Sequence, residues 1–195
     1  MSLGKQAKIL NSAQQKTVLL HLETTTYPLR NKLIFLLSAH GGLRSKEIAS
    51  LQWKMVTNAT GTLLKQIALT NEASKGNSGR IIWISNELYA AFNAYLNSLS
   101  DYPKPQDYII QMQRAKQTSP QVITNWFWQL YRSLGFDGAS SHSGRRTAIT
   151  RWGKNISKAG GSLRDVQMLA GHSSLQMTQR YIEQDVEAQR KVVNC

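Results

Sequence analysis

Tyr181 closes the run Leu-Ala-Gly-His-Ser-Ser-Leu-Gln-Met-Thr-Gln-Arg-Tyr (169–181), nine positions after His172. Upstream lies a second dense cluster, His142-Ser143-Gly144-Arg145-Arg146. A phenol that shares a site with histidines and arginines points to attack on a phosphodiester. With a pKa of about 10 it is weak at neutral pH and needs a base or nearby positive charge. His142 or His172 could serve, because imidazole titrates closest to neutrality. The transition state adds negative charge to two non-bridging oxygens, and preorganised cations stabilise that charge most. Arginine suits the task, since its planar fork holds two oxygens and never deprotonates. The candidates are Arg44, just after Gly41-Gly42-Leu43, and Arg145. Both fall near expected helix starts, where backbone N–H groups also favour anions. Lys75, in a polar loop, could donate a proton to the leaving 5′ oxygen.

Each of these residues alone fits a structural role, and a loop lysine is most often simply solvated. Six of them in one order and spacing argue together. Composition supports a polyanionic partner: the 195 residues carry a net charge of +13, and nucleic acid is the commonest such partner. The positive charge is concentrated. Between Ala139 and Ile182 stand Arg145, Arg146, Arg151, Lys154, Lys158, Arg164 and Arg180 against the single acid Asp165. Of these, Arg146, Arg151, Lys154 and Arg180 are expected to meet the DNA backbone.

Hydrophobic content of 41% and charged content of 18% describe a globular chain. Cys195 is the only cysteine, which excludes an internal disulfide and a multi-cysteine zinc site. Four histidines and few clustered acids argue against a dedicated metal site, and no cofactor is expected. No apolar run reaches the length of a membrane span and no secretory leader opens the chain, so a cytoplasmic setting fits.

The elements that must position these groups are mostly helical. Ser12 with Gln15 reads as a capping box for a helix to about His21. Leu29 to His40 forms a second, ended by Gly41-Gly42, and a third starts near Arg44-Ser45. Lys54–Thr57, Thr62–Leu69 and Arg80–Ile84 are expected to form a three-stranded antiparallel meander, with Lys75 in the loop before its last strand. Helices follow from Ser85 to about Leu99 and, after the Ser119-Pro120 start signal, to Arg132. Ser141 can cap a helix to about Lys154, and Gly160-Gly161-Ser162 precedes another, Leu163 to Leu169. A last helix from about Ser174 is expected to carry Tyr181. The fold class is α+β, mainly α, with a small antiparallel sheet.

Together, Gly-Gly-Leu-Arg-Ser-Lys-Glu-Ile (41–48), Ser-Lys-Gly-Asn-Ser-Gly-Arg (74–80), His-Ser-Gly-Arg-Arg-Thr (142–147) and Leu-Ala-Gly-His-Ser-Ser…Thr-Gln-Arg-Tyr (169–181) resemble the catalytic domain of the tyrosine recombinases, the phage integrase family. The resemblance runs from about Ser12 to Tyr181. It implies a site-specific DNA recombinase that cleaves and rejoins strands through a 3′-phosphotyrosyl intermediate. In that scheme Arg44 and Arg145 clamp the scissile phosphate and Lys75 is the general acid. His142 assists as acid/base, His172 bonds a phosphate oxygen, and Tyr181 is the nucleophile. Glu47 is a supporting acid, and neither metal nor other cofactor takes part. The resemblance also implies double-stranded DNA and a homotetramer assembled on it, with the C-terminal tail packed on a neighbouring protomer.

Two departures stand out. The family usually has leucine where this chain has Gly144, which should loosen the packing under Arg145. The family's separate N-terminal, core-binding domain has no counterpart here. Residues 1–11 then read as a frayed or appended start, 12–182 as the catalytic domain and 183–195 as a tail helix. Two other readings share the residues: a type IB topoisomerase-like enzyme, and a non-catalytic DNA-binding module on the same scaffold.

Overall fold

A computed structural model of the chain describes residues 6–74, 79–112 and 116–181. The expected general acid Lys75 and the tail helix 183–195 lie outside the described residues. The chain divides into two compact units, Met1–Ala148 and Ile149–Cys195.

The first unit is built on α2 (Pro28–Ala39), whose residues from Leu33 to Ala39 are all buried. A helix apolar on every side must be enclosed, and α1 (Ser12–Glu23) and α4 (Asn86–Asn97) pack against it. The short α3 (Ser45–Ala49) lies against α5 (Pro120–Ser133). The first turn of α1 is capped by Asn11 and Gln14, one residue earlier than the sequence pattern suggests: Asn11 Oδ1 accepts the Gln14 N–H at 2.8 Å, and Gln14 Oε1 accepts the Asn11 N–H at 3.1 Å. An amide serves the capping role as well as a hydroxyl.

The sheet holds two strands among the described residues, β1 (Gln66–Leu69) and β2 (Arg80–Trp83), paired antiparallel with Ile67 opposite Ile82 and Leu69 opposite Arg80. The expected first strand is a 3₁₀ turn at Trp53–Met55, followed by a single bridge between Thr57 and Leu63. Its backbone is satisfied elsewhere. The N–H groups of Trp53 and Lys54 donate to the carbonyls of Asp107 and Pro105, at 3.1 and 2.6 Å. Along β2 the pleat alternates: Ile82 is fully buried, while Ile81 and Trp83 face solvent. Arg80 is in phase with Ile82, so its side chain enters the interior.

The chain start is not frayed from residue 7 onward. Leu10 is buried, its N–H donates to Thr147 Oγ1 at 2.9 Å, and the Lys8 N–H donates to the Gly138 carbonyl. A leucine side chain with a place in the core anchors the segment that the sequence alone left outside the domain.

α6 (Ser143–Asn155) opens at Ser143, and the boundary between the units falls within it. Inside the second unit, Ile149, Val166 and Ala170 form a small core, with Trp152, Ile156, Leu163 and Tyr181 packed around it. α7 (Leu163–Ala170) is capped by Ser162 and Asp165 and ends at Gly171, whose φ of 61° is the left-handed geometry that favours glycine. α8 (Leu175–Gln179) packs on α7. Tyr181 is not carried on this helix but lies just past it, beyond the C-cap Arg180. Among the described residues, no helix is long and apolar enough to cross a membrane.

Candidate active site

In the first unit the arginines gather around one buried acid. Glu47 sits in α3 with no exposed surface. Its Oε2 accepts the Arg44 backbone N–H at 2.8 Å and its Oε1 accepts Arg44 Nη1 at 2.9 Å. Arg80 grips the same carboxylate from β2 with two nearly parallel bonds, Nη1 to Oε1 at 2.8 Å and Nη2 to Oε2 at 3.2 Å. This bidentate fork is the strongest geometry an arginine and a carboxylate can adopt. Burial pushes the Glu47 carboxyl up, but the hydrogen bonds and charge of Arg80, the Arg44 N–H and the charge of Arg145 outweigh it, and the net direction is down. The carboxylate is therefore ionised at neutral pH. Three arginines share one negative charge, which leaves the cluster net positive and suited to an anion.

Arg145 comes from the first turn of α6 and is itself buried. Its Nη1 donates to the Gly42 carbonyl, at the point where α2 gives way to α3. The neighbouring Gly144 explains how the helix comes so close. A Cβ there would lie 2.5 Å from Ser38 Oγ, 2.9 Å from Ser38 Cβ and 3.1 Å from the Ala39 nitrogen. The glycine does not loosen the packing under Arg145, as the sequence comparison suggested. It lets α6 lie directly on the backbone of α2, where leucine would not fit.

His142 directly precedes α6 and is exposed. Its N–H donates to Ser140 Oγ at 3.3 Å and its carbonyl accepts the Arg146 N–H at 2.8 Å. Arg146, expected at the DNA backbone, instead turns inward to the chain start, its Nη1 donating to the Ala7 carbonyl at 3.0 Å. Lys154 and Arg180 are exposed and Arg151 is half-buried.

The second unit holds the phenol and one histidine. His172 is buried, immediately after the glycine that ends α7. Gln167 fixes its backbone from both sides: the His172 N–H donates to the Gln167 carbonyl at 3.1 Å, and Gln167 Nε2 donates to the His172 carbonyl at 3.0 Å. His172 Nδ1 lies 3.0 Å from the hydroxyl of the fully buried Thr178. The Tyr181 ring stacks on the imidazole, with centroids 5.1 Å apart and an interplanar angle of 28°. The Tyr181 backbone is tied at both ends, its N–H to the Thr178 carbonyl at 2.9 Å and its carbonyl to Thr150 Oγ1 at 3.0 Å.

Arg80, Thr178, Gln167 and Thr150 were not singled out from the sequence. Arg80 had a legible signal, since an arginine in phase with Ile82 on a strand's buried face requires an acid partner. The three others are polar residues whose roles depend on which backbone group they meet. Among the described residues, no three His, Cys, Asp or Glu side chains gather closely enough to hold a metal ion.

The sequence profile of the phage integrase family matches residues 8–188. Tyrosine recombinase XerA of Thermococcus kodakarensis is 28% identical over 165 residues, covering 83% of this chain and 54% of that protein. Tyrosine recombinase XerC of Bradyrhizobium diazoefficiens is 34% identical over 115 residues, 58% of this chain and 34% of its own length. The chain thus spans about half the length, or less, of these curated relatives. Among solved structures, a crystal structure of XerA recombinase superposes with a TM-score of 0.72 at 21% identity, covering 95% of this chain and 64% of that one. The Tn1549 transposon integrase in complex with a circular intermediate DNA gives a TM-score of 0.74 at 18% identity, covering 100% of this chain and 68% of that one. These likenesses establish the fold.

Proposed function

Because the chain belongs to the phage integrase family, we propose that it cleaves and rejoins double-stranded DNA at specific sites through a 3′-phosphotyrosyl intermediate. The observation that carries this reading is the arginine cluster: Arg44, bonded to the buried Glu47, and Arg145, bonded to the Gly42 carbonyl and lowering the Glu47 carboxyl pKa through its charge, come from separate stretches of sequence and leave the region net positive. Fixed cations in a low-dielectric site are what a phosphorane-like transition state demands.

The roles then follow. Arg44 and Arg145 hold the non-bridging oxygens of the scissile phosphate. Thr178 donates its hydroxyl hydrogen to His172 Nδ1, which sets the tautomer with hydrogen on Nε2 and lets that nitrogen donate to a phosphate oxygen. The Tyr181 oxygen attacks phosphorus, with its proton passing to a base for which His142 is the candidate. The bond from phosphorus to the 5′ oxygen breaks, and Lys75 protonates that oxygen as it leaves. The energy of the broken bond stays in the tyrosyl ester, so a partner strand's 5′ hydroxyl reverses the step without a nucleotide cofactor. Arg151, Lys154 and Arg180 meet neighbouring backbone phosphates, and such contacts make binding steeply dependent on salt. The protein works in the cytoplasm on bacterial or mobile-element DNA.

A pool of nicked duplexes with randomised sequence tests the activity. Cleavage next to the nick releases a short strand and strands the protein on DNA. The expected result is an SDS-stable adduct enriched for one sequence and absent in Tyr181→Phe. An adduct that persists in Tyr181→Phe, or none with the wild type, defeats the reading. Adducts on all sequences with equal yield, together with relaxation of supercoiled plasmid, would mark a topoisomerase instead. We further propose assembly on DNA as a homotetramer in which the tail after Gln184 packs on a neighbour. Its deletion should weaken assembly while leaving the melting temperature of the free chain unchanged; equal loss of both would reject that role.

A further inference from the structure

We propose that Arg80 is a positioning residue for the phosphate site: by sharing the charge of Glu47 it keeps Arg44 electrostatically available to an anion. This rests on the reading of Arg44 as a phosphate ligand. An arginine bonded to a buried carboxylate is in effect a neutral pair, and its attraction for a further anion is reduced accordingly. Arg44 makes such a contact with Glu47 at 2.9 Å. What distinguishes this site is the second cation on the same oxygens. The Arg80 side chain is 8% exposed, and its guanidinium reaches both carboxylate oxygens. The triad Arg44, Glu47 and Arg80 therefore carries one net positive charge where Arg44 with Glu47 would carry none.

The placement of the two arginines supports a division of labour. Arg44 has 19% of its side chain exposed, whereas Arg80 is on the core face of β2, in phase with the fully buried Ile82. Glu47 has a separate task that explains why it stays acidic. Its Oε2 accepts the Arg44 backbone N–H and so fixes the start of α3. Arg44 thus needs the carboxylate for its position, and Arg80 offsets the electrostatic cost of having it there. Bidentate geometry is required for this, because only a guanidinium can address both oxygens at once.

A double-mutant cycle with two readouts tests the inference. The first readout is single-turnover adduct formation on the nicked-duplex pool. The second is the rise in melting temperature caused by inorganic phosphate, counted as the part that Arg44→Ala abolishes, which needs no cleavage. Arg80→Met should slow adduct formation by about 10- to 100-fold, the range expected when a transition-state cation is weakened or displaced. In the Glu47→Gln background, where no carboxylate charge remains, Arg80→Met should change either readout by less than about threefold, well under the cost of a lost direct phosphate contact. This arm remains informative if the single variant Arg80→Met, with its uncompensated buried carboxylate, does not fold. A further large loss in the Glu47→Gln background would show that Arg80 touches the phosphate itself and overturn the proposal. Folded Arg80→Met with wild-type values would do the same. If phosphate binding follows the cycle while wild type forms no adduct, the charge-sharing role stands and the recombinase reading falls.

Discussion

Gly144→Ala is a one-carbon change with opposite expectations from local and tertiary physics. Alanine is a better helix former than glycine by about 1 kcal/mol, so an exposed site in α6 would be stabilised. Here the new methyl group would meet Ser38 Oγ at 2.5 Å, Ser38 Cβ at 2.9 Å and the Ala39 nitrogen at 3.1 Å. Rotation of the serine can remove the first contact only. The other two atoms are fixed to the α2 backbone, so the start of α6 must move away by roughly half an ångström to reach ordinary contact in a close-packed interior. Overpacking of this kind costs about 1–3 kcal/mol, which outweighs the propensity gain. The expected net loss of up to about 2 kcal/mol lowers the melting temperature by up to about 8 °C for a chain of this length. Arg145 is the next residue and would move with the helix away from the Gly42 carbonyl. Displacements of this order can reduce catalysis by up to about 100-fold. Thermal melts by circular dichroism and adduct yield measure the two effects. The double variant Gly144→Ala with Ser38→Gly should recover part of the adduct formation, because it removes both serine atoms and leaves only the 3.1 Å approach to the Ala39 nitrogen, whereas Ser38→Ala keeps the 2.9 Å contact as well. A Gly144→Ala protein that melts at or above wild type with full adduct yield would refute the close-approach argument.

Two further outcomes follow from the sites. Thr178→Val removes the hydroxyl bonded to His172 Nδ1 while keeping its shape. Adduct formation should fall roughly tenfold, the equivalent of one such bond, with little change in DNA binding; a parallel loss of DNA binding would place Thr178 in contact with DNA instead. Glu47 has a lowered carboxyl pKa, so its ionic contribution to stability is complete above the unfolded value of about 4.3 and is lost as pH falls through the lower native value. Melting curves of wild type and Glu47→Gln should differ fully at neutral pH and converge below about pH 4. A gap independent of pH would mean that the charge of Glu47 contributes nothing to stability.

Much of this protein was legible in one dimension. Helix periodicity, capping residues and glycine stops depend on neighbours three or four positions away, so they placed α2, α4, α5 and α7 to within a few residues. The order and spacing of the arginine, histidine and tyrosine motifs carried the family, which the match over residues 8–188 shows. Other features needed the folded chain. The expected first strand became a 3₁₀ turn: the N–H groups of Met55, Val56 and Thr57 donate to the carbonyls of Gln52 and Trp53, while those of Trp53 and Lys54 are held by carbonyls more than fifty residues away. The phase of Arg80 with Ile82 is readable along the strand, but its partner Glu47, thirty-three residues earlier, is supplied only by the fold. Gly144 read as a loss of packing and is a condition for it, since the relevant neighbour is the backbone of another helix. Residue type decides which chemistry is available. Which groups share a charge, and how closely two helices approach, depends on contacts between distant segments that only the tertiary structure brings together.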